Sequence, residues 1–234
     1  MSKHCLFTSS ILIFGGEITA EELTDEEKEY YLLVKKAFAL LAPFYDIIAT
    51  PFSSVRDRVV NFTNAQKGSK ILDVATGTGE QAFAFAKRGY GVIGIDLSEA
   101  MLNVAKKKNK FKNVKFEVAD ATNLPFEDNS FDVSSVSFAL HDMPLSIREK
   151  ILKEMVRVTK PQGIIVIADY DLPRNKIGRF LVYHFVAFYE AEYYKTFIRY
   201  DLETLLHKNR IKILDRATVM HGVGRILKGT NNKL

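Results

Sequence analysis

KILDVATGTG, residues 70 to 79, and GVIGIDLS, residues 91 to 98, decide the fold of this chain. Ile71, Leu72 and Val74 are a short apolar run typical of a buried strand, and two glycines with one residue between them follow it. Glycine tolerates a positive φ angle and lets a ligand approach the main chain. Gly77 and Gly79 therefore predict a tight loop that closes over a cofactor ahead of a helix.

The second stretch predicts another strand, Val92 to Ile95, which ends in an acidic residue. Asp96 lies close to the ~20-residue offset after Gly79 at which a carboxylate reaches the ribose hydroxyls of a βαβ nucleotide site. The order of strand, glycine loop, helix and acid-terminated strand therefore predicts a nucleotide-type cofactor.

The glycine loop also bears on which cofactor is bound. A dinucleotide fingerprint reads G-x-G-x-x-G, and the three positions here are Gly77, Gly79 and Ala82. Because alanine is permitted at the third position, the loop alone leaves NAD open. Asp73, at the end of the strand, is more informative. Its carboxylate would repel a pyrophosphate but attract an α-ammonium group, which favours S-adenosylmethionine (SAM).

Four segments carry a resemblance to a known family: DVATGTG at 73 to 79, VADATNLPF at 118 to 126, APFYD at 42 to 46 and VRVTKPQG at 156 to 163. Together they resemble the class I SAM-dependent methyltransferases. The chain is most similar to the branch that contains the ubiquinone and menaquinone C-methyltransferases, over roughly residues 38 to 170. The resemblance implies SAM as the cofactor and a Rossmann-like fold.

The order of predicted elements leads to the same fold class. Strand and helix alternate with short connections, which predicts an α/β, doubly wound, mostly parallel sheet with helices on both faces. The expected strands after the first two are Val114–Val118, Phe131–Phe138 and Ile164–Ala168, with a closing antiparallel hairpin at Ile211–Leu214 and Gly222–Lys228 that completes seven strands. One domain is expected, divided into an N-terminal arm with cap helices (1–66), a SAM-binding core (67–170), a helical substrate cover (171–210) and the closing hairpin (211–234).

The carboxyl ends of parallel strands meet at one edge of a sheet, where such folds bind ligands. Asp120 could accept a hydrogen bond from the adenine amino group or, alternatively, cap the next turn. Ala121 would donate from its backbone, and Leu97 and Met101 would sandwich the adenine. The resemblance places Tyr45 over the cofactor, although a tyrosine could equally fill a helix corner. The full expected cofactor set is Tyr45, Asp73, Ala75, Thr76, Gly77, Gly79, Asp96, Leu97, Met101, Asp120, Ala121 and Phe138.

His141 is the candidate catalytic residue, because it follows the fourth predicted strand and histidine titrates near neutrality. It would act as a base if the acceptor loses a proton around methyl transfer. The alternative is that His141 only lines the pocket, since transfer from a sulfonium depends chiefly on holding donor and acceptor close. The resembled branch often has an Arg-Asn pair here, whereas this chain has LHDM at 140 to 143, so the acceptor stays open between a quinone, a lipid and an aromatic metabolite.

Length and composition limit the possible fold, metal sites and partners of the chain. The chain has 234 residues, 47% of them hydrophobic, which suits one sizeable core. Its single cysteine, Cys5, excludes an intrachain disulfide and favours the cytoplasm. The five histidines are scattered, so no metal is expected. A net charge of +5 and the lysine run from Lys106 to Lys115 leave an anionic partner open, but a solvated helix end is the favoured interpretation and nucleic acid is not expected.

Two apolar segments have several interpretations. The run Cys5–Phe14 is far shorter than the ~20 residues that span a bilayer, so it is expected to be a strand or arm packed on the body, with a monotopic anchor as the alternative. The aromatic-rich segment Ile177–Tyr194 resembles the substrate cover of related enzymes. It would suit a hydrophobic acceptor, a membrane surface, a dimer contact or simple core packing.

The sequence therefore predicts a SAM-dependent methyltransferase that acts on a small, rather apolar acceptor. The alternatives are an RNA or protein methyltransferase that uses the lysine run, and a SAM-binding regulator without turnover. An NAD oxidoreductase is a further alternative. The oligomeric state is open.

Overall fold

The computed structural model describes residues 23–173, 175–189 and 193–233, with the backbone alone for 185–189. The arm expected at Cys5–Phe14 lies outside the described residues. The pairs Thr19 with Glu22 and Thr24 with Glu27 both have capping-box spacing; the first lies outside the described residues, and the second forms a capping box in the structure. The Thr24 hydroxyl accepts from the Glu27 backbone N–H at 3.2 Å, and the Glu27 carboxylate accepts from the Thr24 N–H at 3.1 Å.

Among the described residues, three helices precede the sheet and six follow its first strand. In chain order the helices are α1 (Asp25–Leu41), α2 (Tyr45–Ile48), α3 (Ser53–Thr63), α4 (Glu80–Lys87), α5 (Glu99–Lys108), α6 (Leu145–Val158), α7 (Lys176–Tyr189), α8 (Tyr193–Arg199) and α9 (Leu202–Lys208). Short 3₁₀ turns span Thr50–Phe52, Leu140–Asp142 and Met220–Gly222. The strands are β1 (Lys70–Val74), β2 (Gly91–Asp96), β3 (Val114–Val118), β4 (Phe131–Ser137), β5 (Thr159–Tyr170), β6 (Ile211–Val219) and β7 (Gly224–Asn231).

The seven strands form one sheet in the order β3-β2-β1-β4-β5-β7-β6. The first five pair in parallel, and β7 pairs antiparallel with both β5 and β6. The order reverses at β1, since β2 and β4 lie on either side of it, and this reversal is where an open α/β sheet opens a ligand crevice. The predicted doubly wound, mostly parallel sheet with a closing hairpin is confirmed.

Two apolar clusters cover the two faces of the sheet. One joins Leu72, Val74 and Ile95 to α6, α8, α9 and the first half of α1. The other joins Ile71 and Val92 to α3, α4 and α5. Side chains alternate along a strand, so Ile71 and Leu72 of β1 serve opposite clusters.

Some strand limits differ from those expected. β5 begins at Thr159 and ends at Tyr170, beyond the apolar run Ile164–Ala168, because Asp169 and Tyr170 keep pairing with β7. β6 continues to Val219 past the exposed pair Asp215 and Arg216. Apolar runs identify the buried centre of a strand, whereas polar ends are extended by hydrogen bonding that the runs do not reveal.

Candidate active site

A cavity of about 730 Å³ lies at the carboxyl ends of β1, β2 and β4, roofed by α1 and α2. Its volume lies within the range of small-molecule sites. Of the expected site residues, those that line it are Tyr45, Asp73, Ala75, Thr76, Gly77, Asp96, Leu97, Met101, Asp120, Ala121, Phe138 and His141. Gly79 is outside the lining. The sheet therefore brings all but one of the expected residues to one place, while their individual roles stay predictions.

The glycine loop has the predicted left-handed backbone. Gly77 has φ 55° and Gly79 has φ 84°. A Cβ at Gly79 would lie 2.7 Å from Cζ of Phe116, closer than real Cβ contacts come. Gly79 therefore lets the start of α4 pack against the sheet, while Gly77 faces the cavity.

Asp96 connects β2 to the glycine loop. One carboxylate oxygen accepts from the Gly77 N–H and the other from the Ser98 N–H, both at 2.8 Å. Burial raises the pKa of the Asp96 carboxyl, and these two backbone donors oppose the rise. The side chain stays partly exposed to the cavity, so its remaining lone pairs can accept from ligand hydroxyls.

Asp73 is a buried acid at the end of β1. Asp73 is 1% exposed, and its carboxylate accepts a hydrogen bond from the Thr76 hydroxyl at 2.6 Å. Burial raises the pKa of this carboxyl to about 7, although the Thr76 hydrogen bond opposes the rise. No ion pair to Asp73 is formed within the described part of the chain. A ligand ammonium group would supply the missing positive charge.

Asp120, after β3, carries a contact that the sequence did not reveal. The hydroxyl of Tyr31 in α1 donates to one of its carboxylate oxygens at 2.7 Å. The other oxygen accepts from the Thr122 backbone and hydroxyl, each at 2.8 Å, so Asp120 does cap the turn. A carboxylate has about four acceptor sites, so this does not preclude a further hydrogen bond from adenine. Burial, followed by the charge of Asp120, raises the pKa of Tyr31.

The helix α2 is fastened over the glycine loop by ionic and hydrogen-bonding contacts. Asp46 accepts from the Thr78 hydroxyl and from Nζ of Lys108, both at 2.6 Å, and Lys108 also reaches Glu80 at 2.7 Å. Burial raises the pKa of Asp46, but the hydrogen bonds from Lys108 and Thr78 outweigh it and leave that pKa lowered. These contacts, here named the α2 latch, hold Tyr45 beside Gly77.

His141 forms a buried dyad with Asp169 at the end of β5. Its Nδ1 lies 2.7 Å from a carboxylate oxygen of Asp169, and its Nε2 lies 3.5 Å from Asp142. The Asp169 carboxylate also accepts from the backbone N–H groups of Leu140 at 3.0 Å and Tyr170 at 2.8 Å. An acceptor at Nδ1 favours the tautomer protonated there, which leaves the basic lone pair on Nε2. This arrangement can take a proton from a bound ligand.

Arg148 of α6 supports the turn that carries His141. It is 1% exposed, and its guanidinium donates to the carbonyls of Leu140 at 2.8 Å and Tyr193 at 3.0 Å. Burial lowers its pKa to about 10, and the charge of Asp169 opposes that change. Sequence reasoning missed Tyr31, Asp169 and Arg148. Asp169 had a usable signal, because it lies at the carboxyl end of a strand, as Asp73 and Asp96 do.

Another part of the cavity wall is apolar. Val34, Phe38 and Leu41 of α1 line it together with Phe52 and Met143. Within residues 23–173, 175–189 and 193–233 no group of histidine, cysteine and acidic side chains could hold a metal ion, and no helix is long and apolar enough to cross a membrane. In the lysine run, Lys108 belongs to the α2 latch, while Lys106, Lys107 and Lys110 are exposed.

The chain is similar to methyltransferases both in sequence and in structure. The family described as "Methyltransferase domain" matches residues 65–209. A demethylmenaquinone methyltransferase of Paenarthrobacter aurescens is 40% identical over 145 residues, which cover 60% of this chain and 56% of that protein. The chain thus spans about half the length of the curated relatives it matches.

Solved structures share the fold at low identity. The methyltransferase in complex with the Trm112 activator of Haloferax volcanii superposes with a TM-score of 0.69 at 16% identity, covering 86% of this chain and 98% of that one. The cyclase SpnF superposes with a TM-score of 0.67 at 19% identity, covering 84% and 94%. Since these neighbours differ in the chemistry that they are named for, the likeness supports the fold alone.

Proposed function

The chain belongs to the methyltransferase domain family, and on that premise we propose that it transfers a methyl group from S-adenosylmethionine to a small apolar acceptor of the quinone class. The expected cofactor, enzyme class and acceptor class agree with the family and with relatives named demethylmenaquinone methyltransferase. The observation that carries the proposal is a cavity in which strand-end acids, an apolar wall and the His141–Asp169 dyad meet.

The cofactor fits the acids of this cavity. Asp73 is a buried carboxylate without a cationic partner among the described residues, which suits the α-ammonium group of an amino acid. Asp96 offers acceptor lone pairs for ribose hydroxyls, and Asp120 for the adenine amino group. SAM, when bound, supplies an electrophilic methyl group on its sulfonium.

The acceptor would occupy the apolar part of the cavity, between α1 and the turn that carries His141. Phe38, Phe52 and Met143 offer the surfaces for a flat, apolar ring. Excluding water there strengthens the hydrogen bond between an acceptor hydroxyl and His141. A reduced quinone has such hydroxyls, and a ring carbon made electron-rich by hydroxyl deprotonation can attack the methyl group.

His141 would take that hydroxyl proton at Nε2, while Asp169 holds the ring at Nδ1 and stabilises the imidazolium. The methyl group would pass from sulfur to the ring carbon, which would then lose its own hydrogen as a proton to solvent, while the His141 imidazolium would return its proton to the ring oxygen. Arg148 is a positioning residue here, because it touches the Leu140 carbonyl next to His141 and not the cavity.

The test uses SAM with a labelled methyl group and demethylmenaquinone in its reduced form. We expect label in the quinone product and a kcat for His141→Asn lower by roughly two to four orders of magnitude, with SAM affinity unchanged. Asp169→Asn should displace the acidic limb of the pH–rate profile. A His141→Asn variant with the wild-type kcat would refute the base role. SAM binding with no labelled product from any acceptor would favour the regulator instead.

A further inference from the structure

A patch of large apolar side chains lies exposed where α1 ends and α2 begins. Leu40 is 78% exposed, Phe44 62% and Ile47 75%. Their neighbours Leu41, Tyr45 and Ile48 line the cavity. The three exposed residues, here named the rim patch, therefore border the mouth of the active-site cavity.

Folding does not account for the rim patch. A surface helix normally turns its apolar side toward the core. The four residues of α2, all within the described part of the chain, include two isoleucines and none is buried. Single exposed leucines are ordinary, but here five large apolar side chains are exposed within nine consecutive residues, and a concentration of this kind marks an interaction site.

The helix α7 presents a second surface of the same kind. Ile177, Phe180 and Leu181 are each more than half exposed and recur at the i, i+3, i+4 spacing of one helix face. Its residues Val182 and Tyr183 pack against the core instead. Lys176 and Arg179 flank the exposed face, and the helix sequence KIGRFLVYHFVAFY has no acidic residue. A basic amphipathic helix of this composition is typical of a lipid surface.

A series of aromatic ring contacts connects the two surfaces. Phe52, just after α2, lies 6.2 Å from Tyr170 between ring centroids. Tyr170 lies 5.7 Å from Tyr194, and Tyr194 lies 6.4 Å from Tyr183 of α7. One chain of ring contacts across the cavity wall thus connects the neighbourhood of the rim patch to α7.

The charges near the rim patch also suit an anionic partner. Lys35 and Lys36, one turn earlier in α1, are exposed. The acid within α2, Asp46, is paired with Lys108 and so presents little free negative charge. The acidic side chains of α1 are concentrated at its other end, in the first turn. An apolar surface bordered by cations attracts anionic lipid headgroups in addition to inserting into the acyl region.

We propose that the rim patch and the exposed face of α7 seat this protein on an anionic lipid bilayer with the mouth of the cavity turned toward it. The proposal rests on the proposed function in one respect, the apolar acceptor, which would pass between bilayer and cavity without crossing water. The occupant of both surfaces is the bilayer and not a second copy of the chain.

Vesicle co-sedimentation of the full chain tests this without any turnover. Binding is expected to be stronger to phosphatidylcholine vesicles that contain phosphatidylglycerol than to phosphatidylcholine alone, and to weaken as salt is added. The double variant Phe44→Asp with Ile47→Asp should lower the partition coefficient at least roughly tenfold, since burying one such side chain contributes more than a factor of ten. Phe180→Asp should lower it as well.

The matched control is a substitution of Leu214 on β6, an exposed leucine outside the cavity lining: Leu214→Asp is expected to bind vesicles as the wild type does. Unchanged thermal stability and SAM affinity establish that each variant folds. Vesicle binding that is insensitive to both sets of changes would overturn the proposal. So would rim-patch variants that alter only the sedimentation of the free protein, because that result identifies a second copy as the occupant.

Two quinone acceptors, one water-soluble and one held in vesicles, separate the test of bilayer docking from the test of the methyltransferase function. With a short-chain, water-soluble quinone acceptor the double variant should keep the wild-type rate, and with a long-chain acceptor in vesicles its rate should fall. Vesicle binding without methylation of either acceptor would refute the quinone assignment and leave the docking surface standing.

Discussion

The buried carboxyl of Asp73 allows a test of the cofactor assignment at the scale of one residue. Burial raises its pKa to about 7 in the free protein, so part of the molecules carry a proton there at neutral pH. An α-ammonium group binds the charged form, so SAM binding should release a proton. Affinity is then expected to fall up to tenfold per unit as the pH is lowered below 7.

The measurement is a calorimetric titration of SAM between pH 5.5 and 7, below the range of about 7.7–8.0 where α-amino groups titrate. The Asp73→Asn variant should bind more weakly and show a nearly flat profile. Affinity that stays constant across this interval in the wild type would contradict the pairing of Asp73 with the ligand ammonium.

The charged form of the Asp73 carboxyl should favour SAM binding but lower the stability of the ligand-free fold. A group whose folded-state pKa is raised, here from 3.8 to about 7, favours the folded state at low pH, and that contribution is lost as the pH rises through 7. At pH 8 the charged Asp73 should therefore cost on the order of a few kcal/mol. Asp73→Asn is expected to raise the melting temperature of the ligand-free protein by several degrees. Equal melting temperatures at pH 8 would count against the buried charge.

At the scale of elements, the α2 latch links the roof of the cavity to the glycine loop. Lys108 bridges Asp46 of α2 and Glu80 of α4, with side chains that are about a third exposed, so each bridge contributes modestly. Lys108→Ala should free α2 and speed SAM dissociation roughly three- to tenfold, with little change in the association rate. Stopped-flow displacement measures both rates.

The control for the latch is Lys107→Ala, an exposed lysine at the same helix end. A cation near the C-terminus of a helix interacts favourably with the helix dipole, and both variants lose one such cation. Only Lys108→Ala also loses the salt bridges to Asp46 and Glu80. Equal dissociation rates in the two variants would show that the α2 latch does not control cofactor release.

For the whole molecule, the sequence predicted what local patterns encode. Three kinds of feature could be recognised from the sequence alone: the apolar runs of β1 and β2, the two glycines with positive φ, and the acids at strand ends. Each reflects a local conformational or burial requirement. Together with the strand–helix alternation they led to the confirmed sheet. The division into arm, core, cover and hairpin stays a prediction.

The contacts that complete the candidate site could not be predicted from local sequence patterns. Tyr31 and Asp120 are far apart in sequence, as are His141 and Asp169, and no periodicity links such partners before the sheet order is known. Periodicity alone would also mislead at α4, where Phe83 and Phe85 alternate as in a strand but lie in a helix that packs against Phe111, Phe116 and the sheet.

The most direct test of the central claim, that this cavity holds SAM by its strand-end acids, is a calorimetric titration of SAM into the wild type, Asp96→Ala and Asp132→Ala. Asp132 is a matched control, since it also accepts a backbone N–H, at 2.8 Å, but lies at the start of β4, outside the cavity lining. We predict SAM binding and no NAD binding in the wild type, at least about a tenfold loss of SAM affinity in Asp96→Ala and wild-type affinity in Asp132→Ala. Binding of NAD in place of SAM, or unchanged SAM affinity in Asp96→Ala, would contradict the claim.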